Sequence, residues 1–230
     1  MEGVDAQAVI EEMRRKADPS VVKGMTRFGI TTGSALGLSV PTIRAISKKL
    51  GRDHALAAAL WKTKIHEARI LAAMVDEPSK VTERQMEAWV SEFDSWDVCD
   101  GVCGTLFDKT PLAYGKAVEW SWREEEFVKR AGYALMAELA VHDKKAPDSA
   151  FEGFIPHIER GSTDPRNFVK KAVNWALRQI GKRNRRLNGI ALRAAGRISK
   201  MDAPSAKWVA ADAKRELSSA AVQRRLRSSS

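Results

Sequence analysis

The sequence predicts an all-α protein built from repeated helical hairpins, on three observations. Ala, Leu, Lys, Glu and Arg dominate the 230 residues, and apolar side chains recur at spacings of three and four. Alternating Val/Ile/Thr runs that would indicate strands are absent from the sequence. A block of the form Phe-Val-Lys-basic-Ala occurs twice, in "EFVKRAGYALMAEL" from Glu126 and in "NFVKKAVNWALRQI" from Asn167, 41 residues later.

The 41-residue period is typical of helical-hairpin solenoids of the HEAT type, in which each unit buries its apolar face only against its neighbours. The stretch "IHEARILAAMV" from Ile65 is a weaker third copy. A solenoid of this kind curves, and its concave side forms an extended groove. We therefore predict one HEAT-like repeat domain over residues 1–220, an α-α superhelix with a concave basic groove, followed by a disordered basic tail at 221–230.

Breaks rich in Pro, Gly, Ser and Asp divide the helical pattern. They lie at 18–20, 37–41, 76–79, 109–111, 144–149, 160–165 and 201–205. Proline and glycine end helices, and Ser or Asp just before a new apolar pattern caps the next one. The breaks thus predict about a dozen helices of roughly ten to eighteen residues.

Composition narrows the class of protein. The hydrophobic share of 44% is ordinary for a protein with a real core. No apolar run approaches the roughly 18 to 20 residues of a membrane span, and the N-terminus is acidic where a signal peptide would be basic. Two cysteines cannot form a disulfide framework, which fits a reducing compartment. We expect a soluble intracellular protein without membrane segments.

The net charge of +10 is concentrated at one end of the chain. From Arg160 onward there are 18 Lys/Arg against 4 Asp/Glu, an excess of +14, which leaves 21 against 25, or −4, in residues 1–159. A one-sided positive field attracts phosphate backbones, so nucleic acid is the first partner class to consider. A solvated surface crowded with cations is the alternative.

The stretch "DSWDVCDGVC" at 94–103 places an indole and a carboxylate on one helical face. Trp96 and Asp100 are one turn apart, opposite the apolar stripe. That stripe consists of Val98, Val102, Thr105 and Leu106. Because an unpaired buried carboxylate is costly, the face is predicted to be solvent or a groove. The alternative is that these residues only form a helix N-terminus. Asp94, Ser95 and Asp97 would then cap the helix, and Asp100 would interact favourably with the helix dipole.

The two repeat copies each place a chemically active residue off the apolar stripe. In the first copy Arg130 points away from the stripe, towards small alanines that leave room for a ligand. In the second copy Trp175 lies on a basic face, beside Lys171, Arg178 and Lys182. The predicted stripes are Val128, Ala131, Leu135 and Leu139 in the first copy, and Val169, Ala172, Val173, Ala176 and Ile180 in the second. An aromatic ring within a basic face suits a nucleic-acid backbone and base. Trp175 is otherwise a partly exposed tryptophan of a second interface.

Cys99 and Cys103, four residues apart, raise the question of a metal site. Zinc requires about four ligands at recognisable spacings, and the four histidines show none. We expect no metal, and we interpret the cysteines as small buried residues that allow close helix contact.

Three motifs in these helices resemble the bacterial DNA alkylation repair glycosylases of the AlkD type, a family of HEAT-like repeat proteins. They are "SWDVCD" at 95–100, "FVKRA" at 127–131 and "FVKKAVNWALRQ" at 168–179. Upstream, "GMTRFG" at 24–29 and "GLSVPTIR" at 37–44 are similar to that family's N-terminal elements. The likeness runs from about residue 8 to about residue 200, and the order and spacing of several motifs make it specific.

The resemblance implies a monofunctional glycosylase that hydrolyses the N-glycosidic bond of cationic N3- or N7-alkylated purines in double-stranded DNA, without metal or cofactor and without drawing the base into a pocket. By position, the family's site residues are Trp96, Asp100, Arg130 and Trp175. The residues expected to contact DNA are Arg27, Phe28, Arg44, Lys171, Arg178, Lys182, Arg183, Arg185 and Arg186. Phe28 stands where relatives often carry a tyrosine. Segment 181–200 is more basic than the family leads us to expect.

Two other functions stay open at the level of sequence. A non-catalytic member of the superfamily would bind distorted or branched DNA with the same basic groove. A protein-binding HEAT scaffold would explain the repeat but not Trp175 among lysines and arginines. For the glycosylase we expect a monomer in the cytoplasm, associated with the nucleoid.

Overall fold

A computed structural model describes residues 5–228, and all regular structure in that range is helical. The α-helices are α1 (Ala6–Arg15), α2 (Pro19–Met25), α3 (Val40–Leu50), α4 (His54–Lys62), α5 (His66–Val75), α6 (Glu83–Ser91), α7 (Trp96–Thr105), α8 (Ala113–Trp120), α9 (Glu126–His142), α10 (Asp148–Glu152), α11 (Ile155–Gly161), α12 (Asn167–Gly181), α13 (Arg185–Ile198), α14 (Pro204–Leu217) and α15 (Ala220–Ser228). Short 3-10 helices lie at Thr26–Phe28, Pro78–Lys80 and Phe107–Lys109. The all-α prediction is confirmed.

Every break predicted from the sequence lies at or beside a helix end, and the capping chemistry explains why. The Asp18 carboxylate accepts the Ser20 amide at 2.9 Å, and Pro19 occupies the first helical position. The Ser39 hydroxyl likewise accepts the Thr42 amide at 3.3 Å at the start of α3. These bonds satisfy amides that a helix N-terminus leaves without an intrahelical partner.

The chain forms two compact units, Met1–Thr110 and Pro111–Ser230. The prediction of a single repeat domain over 1–220 stays a prediction. The predicted disordered tail at 221–230 differs from what the structure shows. Residues 220–228 form α15, with Val222 and Leu226 buried. The apolar spacing of these two residues gives even a strongly basic helix one buried side. Residues 229–230 of that tail lie outside the described range.

In the first unit, α5 is buried along most of its length and organises the loops around it. The carboxylate of Glu67, 1% exposed, accepts backbone N–H groups from Leu36 at 2.8 Å, Gly37 at 2.6 Å and Leu38 at 3.2 Å. Gly37 has φ 82°, and a Cβ there would lie 2.1 Å from the Asp18 carbonyl oxygen. This cluster of amides around a buried charge fixes the loop before α3.

In the second unit, equivalent helices of successive repeats contact each other at a nearly constant sequence offset. Phe127 and Phe168, the second residues of α9 and α12, have ring centroids 5.5 Å apart. The Asn174 amide of α12 donates to Asp212 of α14 at 2.6 Å across 38 residues. The predicted apolar stripes of both repeat copies are buried, each residue 3% exposed or less. The repeat inferred from a five-residue block is therefore a packing unit.

None of the helices in the described part of the chain combines the length and apolar character that a bilayer span requires.

Close contact of α8 and α9 at Gly132 generates a stability prediction. A Cβ at this position would lie 2.5 Å from the Ser121 nitrogen and 2.9 Å from the Ala117 carbonyl oxygen. These are backbone atoms that cannot rotate away, so Gly132→Ala is expected to lower the free energy of unfolding by about 1–3 kcal/mol. Gly196→Ala in α13, where an added Cβ meets nothing within 4 Å of it, should instead raise stability by up to about 1 kcal/mol. Urea unfolding measures the stability of both variants. Equal changes in the free energy of unfolding would contradict the close contact between α8 and α9 at Gly132.

Candidate functional site

The start of α7 holds Trp96 in a fixed position. Its indole Nε1 donates a 2.9 Å hydrogen bond to the carbonyl oxygen of Phe28, and the side chain stays half-buried. Asp100, one turn later, is also half-buried. The predicted stripe behind this pair is buried at Val98, Val102 and Leu106, whereas Thr105 is half-buried. The two candidate residues thus lie off the core side of α7, as the helical spacing predicts.

A buried ionic cluster fixes the turn that leads into α7. His66 of α5, 3% exposed, places Nε2 at 2.7 Å from Oδ2 of Asp97, and the Ser95 hydroxyl donates to the other carboxylate oxygen at 2.8 Å. Ser95 occupies the N-cap position but makes no side-chain capping bond. Asp97 is therefore a structural carboxylate that holds the helix start.

The pKa values of this cluster favour its charged form. Burial opposes the charge on His66, but the hydrogen bond and negative charge of Asp97 outweigh burial and raise the pKa of His66 above its ordinary value. Burial likewise opposes the charge on Asp97, yet its bonds to His66 and Ser95 lower the pKa of that carboxyl. The pair is thus an ionic link between α5 and α7.

Arg69 supplies a second clamp on the same turn. Its guanidinium donates to the carbonyl oxygen of Glu92 at 3.2 Å and to the carboxylate of Asp94 at 3.4 Å. It also lies 5.3 Å from the ring centroid of Trp61. The Thr31 hydroxyl donates to the Asp94 carbonyl oxygen at 3.0 Å. Backbone and side chains on both sides of the turn are held before any ligand arrives.

Phe28 is the most exposed large apolar side chain of those described, at 61%. It ends the Thr26–Phe28 helix, which Gly29 terminates in the left-handed region at φ 72°. The Arg27 guanidinium lies 5.4 Å from its ring centroid. A cavity of about 310 Å³ beside it is lined by Ser20, Val21, Gly24, Met25, Arg27 and Phe28. Arg44 is exposed on α3.

Both cysteines of α7 are fully buried, in agreement with their interpretation as packing residues. In residues 5–228 no group of three or more His, Cys, Asp or Glu side chains could hold a metal ion. Gly101, beside Asp100, has open space around its missing side chain, because an added Cβ would meet nothing within 4 Å.

Arg130 of α9 differs from its prediction. It is 6% exposed, and its Nη1 donates to the carbonyl oxygen of Phe168 at 2.6 Å. The alanines on the same face, Ala134 and Ala137, are fully buried too. The physical reason is that α9 packs against both α8 and α12, so the side opposite its apolar stripe is also covered. Arg130 links the starts of successive repeat helices instead of lining an open face.

Trp175 of α12 is half-buried and off the apolar stripe, as predicted. The cations around it differ in their exposure and in whether they form ion pairs. Lys171 is exposed. Arg178 and Lys182 both form ion pairs with Glu216 of α14, the lysine at 2.7 Å. These pairs lower the pKa of Glu216 against the opposing effect of burial. Two of the three predicted cations of this face are therefore paired with carboxylates of the next repeat.

Some of the remaining predicted cations are likewise bonded to groups of the protein, whereas others are exposed. Arg183 donates to the Ala140 carbonyl oxygen at 2.7 Å, and Arg186 forms an ion pair with Asp148 at 3.3 Å. Arg185 is exposed. Sequence reasoning missed Asp212 and Glu216 as counter-charges, although the repeat period gives the signal. Both lie 38 residues after the α12 residues to which they bond.

Comparison with known proteins agrees with this architecture. A solved structure from a family described as related to the HEAT-like repeat DNA glycosylases with affinity for branched DNA structures matches with a TM-score of 0.76 and 18% sequence identity, covering 93% of this chain and 95% of that one. The fold is thus of the HEAT-like repeat class. Among curated proteins none matches this chain. The family model of the DNA alkylation repair enzymes matches residues 9–211, and the chain belongs to that family.

The link between His66 and Asp97 generates a prediction about pH. Because the pKa of His66 is raised on folding, its stabilising effect is present below its ordinary value of 6.5 and is lost as pH rises through the folded value. The lowered pKa of Asp97 means that its contribution is fully present above the ordinary value of 3.8 and is lost as pH falls through the lower folded value. His66→Gln should therefore lower the free energy of unfolding by about 1–3 kcal/mol at pH 5.5. The difference from wild type should shrink by pH 9. Urea unfolding at both pH values is the measurement, and a constant difference would contradict the ionic link.

Proposed function

We propose that the protein is a DNA glycosylase that releases cationic N3- and N7-alkylated purines, such as 3-methyladenine and 7-methylguanine, from double-stranded DNA. The observation that carries the proposal is the start of α7, where a hydrogen-bonded Trp96 lies one turn before the half-buried Asp100. Membership of the DNA alkylation repair enzyme family supports this chemistry over other uses of a helical repeat.

The charge of the damaged base determines what the protein has to supply. An alkylated purine already carries a positive charge and leaves readily, so protonation by a general acid is dispensable. What remains is to stabilise an oxocarbenium-like sugar and to deliver water. A carboxylate can do both, and we assign Asp100 to these roles. The open space beside Gly101 gives a nucleotide room to approach that carboxylate.

The aromatic residues are assigned to the cationic nucleotide. Trp96 and Trp175 are both half-buried with part of each side chain accessible, and each cation-π contact contributes about 0.5–2 kcal/mol. Arg130 is assigned to the DNA backbone. Arg130 is 6% exposed and already donates to the Phe168 carbonyl oxygen, so this assignment requires its planar guanidinium to reach a phosphate from the edge of the buried face.

The role of Asp100 is tested by a charge-neutral isostere. Asp100→Asn is expected to lower the rate of 7-methylguanine release from methylated duplex DNA by at least about a hundredfold, because the variant cannot stabilise positive charge on the sugar. Duplex affinity should stay within about threefold, since an amide adds no phosphate contact. Base release is followed by chromatography and binding by fluorescence anisotropy. Asp202→Asn, the same chemical change at an exposed position, is the control.

Rapid release by the asparagine variant would remove Asp100 from the mechanism. Absence of release by the wild type, with DNA binding retained, would favour the non-catalytic function described below.

A second experiment tests the tryptophan of α12. Trp175→Ala should lower the release rate by about two- to thirtyfold, since one cation-π contact of about 0.5–2 kcal/mol is lost. Trp208→Ala is the matched control, because Trp208 is also partly exposed, at 40%, but lies on α14. Equal loss of activity in the two variants would show that Trp175 has no special role in the reaction.

The alternative is a DNA-binding protein without excision activity. It is favoured by the solved structure similar to this chain, whose family is described as having affinity for branched DNA structures. A four-way junction and a duplex of equal length separate the two functions. Preference for the junction together with no base release supports the binding protein. Absence of DNA binding at low salt, where phosphate contacts are strongest, would instead favour a protein-binding scaffold.

A further inference from the structure

A polar cleft lies in the second unit, at the ends of α9 and α12, where α15 packs beside them. Its volume is about 310 Å³. It is lined by Ala140, Val141, Lys144, Gln179, Lys182, Arg183, Arg225 and Leu226. Four of these side chains are cations and none is a carboxylate. They come from three separate segments: the loop after α9, the end of α12 and α15.

Local groups interact with the cations of this cleft. Lys182 is paired with Glu216, which lies outside the lining. Arg183 donates to the Ala140 carbonyl oxygen at 2.7 Å and so covers the negative end of the α9 dipole. Lys144 is exposed, on the loop that follows α9. A small cavity with converging cations and no acidic lining favours an anion.

Helix α15 carries one of these cations into the cleft and is itself held there. Arg225 donates to the Lys182 carbonyl oxygen at 2.9 Å, and Leu226 beside it is 2% exposed. Val222, one turn earlier, is 9% exposed. The apolar side of α15 thus fixes the direction of Arg225. The cleft exists because residues 220–228 are folded.

We propose that this cleft is a phosphate-binding site and that its occupant is a backbone phosphate of DNA. The assignment of DNA as the occupant rests on the DNA binding in the proposed function. The assignment of the cleft to an anion does not depend on that function. The site lies towards the ends of α9 and α12. On α9 its lining begins at Ala140, more than two turns after Arg130, and on α12 it begins at Gln179, about one turn after Trp175. It adds Lys144 and Arg225 to Lys182 and Arg183, which the family resemblance already marks for DNA contact.

The test compares two double variants with equal loss of charge. Lys144→Gln/Arg225→Gln removes two cations of the cleft, whereas Lys145→Gln/Arg224→Gln removes their sequence neighbours, which are exposed and do not line it. The cleft variant should bind undamaged duplex about tenfold more weakly at low salt and lower the slope of log affinity against log salt by about one. The control variant should stay within about threefold.

Inorganic pyrophosphate tests the cleft without DNA. Millimolar pyrophosphate should raise the thermal midpoint of the wild type and of the control variant but not that of the cleft variant. Arg225→Gln could detach α15 from the rest of the unit and so abolish the cleft for a structural reason. The single variant Lys144→Gln, which changes only a loop residue, tests the cleft without that effect. Its effects on both measurements should have the same direction and be smaller.

Each remaining outcome has one meaning. Equal weakening by the two double variants overturns the site, because bulk charge then explains the binding. Loss of the pyrophosphate effect with unchanged duplex affinity overturns DNA as the occupant and assigns the cleft to a free phosphate anion. A wild type that binds no DNA refutes the proposed function, and the pyrophosphate measurement then decides the cleft independently.

Discussion

The burial of each repeat helix on two sides, by the repeat before it and the repeat after it, is the constraint on which the second unit depends. Helix α9 illustrates it, because the apolar stripe and the opposite face, including Arg130 and Ala134, are all buried. A helix covered in this way cannot keep its polar groups in water, so they bond to the neighbouring repeat. Arg130 accordingly donates to a backbone carbonyl 38 residues further along the chain.

This constraint changes the meaning of the basic C-terminal third. The excess of +14 after residue 159 indicates a nucleic-acid partner when every cation is counted as available. Arg160, Arg178 and Arg183 instead bond to groups 38–43 residues away, which makes them part of the links between repeats. Within this third of the chain, the charge available to a ligand is therefore a smaller set, in which Lys171 and Arg185 are exposed.

The sequence predicted the parts of the structure that depend on local periodicity. Helix ends, apolar stripes, the buried cysteines and the off-core positions of Trp96, Asp100 and Trp175 all follow from spacing and capping rules. The sequence did not predict that Arg130 is buried or that acidic residues of α14 pair with the cations of α12. Helical spacing shows which face of one helix is apolar, but not which other helices pack against its remaining faces. The cluster of His66 and Asp97 was missed for the same reason: its members are 31 residues apart, on different helices.

The hydrogen bond from Trp96 to the carbonyl oxygen of Phe28 has a consequence for the energetics of recognition. A free tryptophan side chain loses rotational freedom when a ligand orders it, and that loss lowers affinity. Here the indole is oriented in the unbound protein, by a backbone atom 68 residues away in sequence. The entropy of that side chain is lost during folding, not during binding. The ring is therefore a preorganised surface, and a partner that stacks on it does not bear the cost of ordering this side chain.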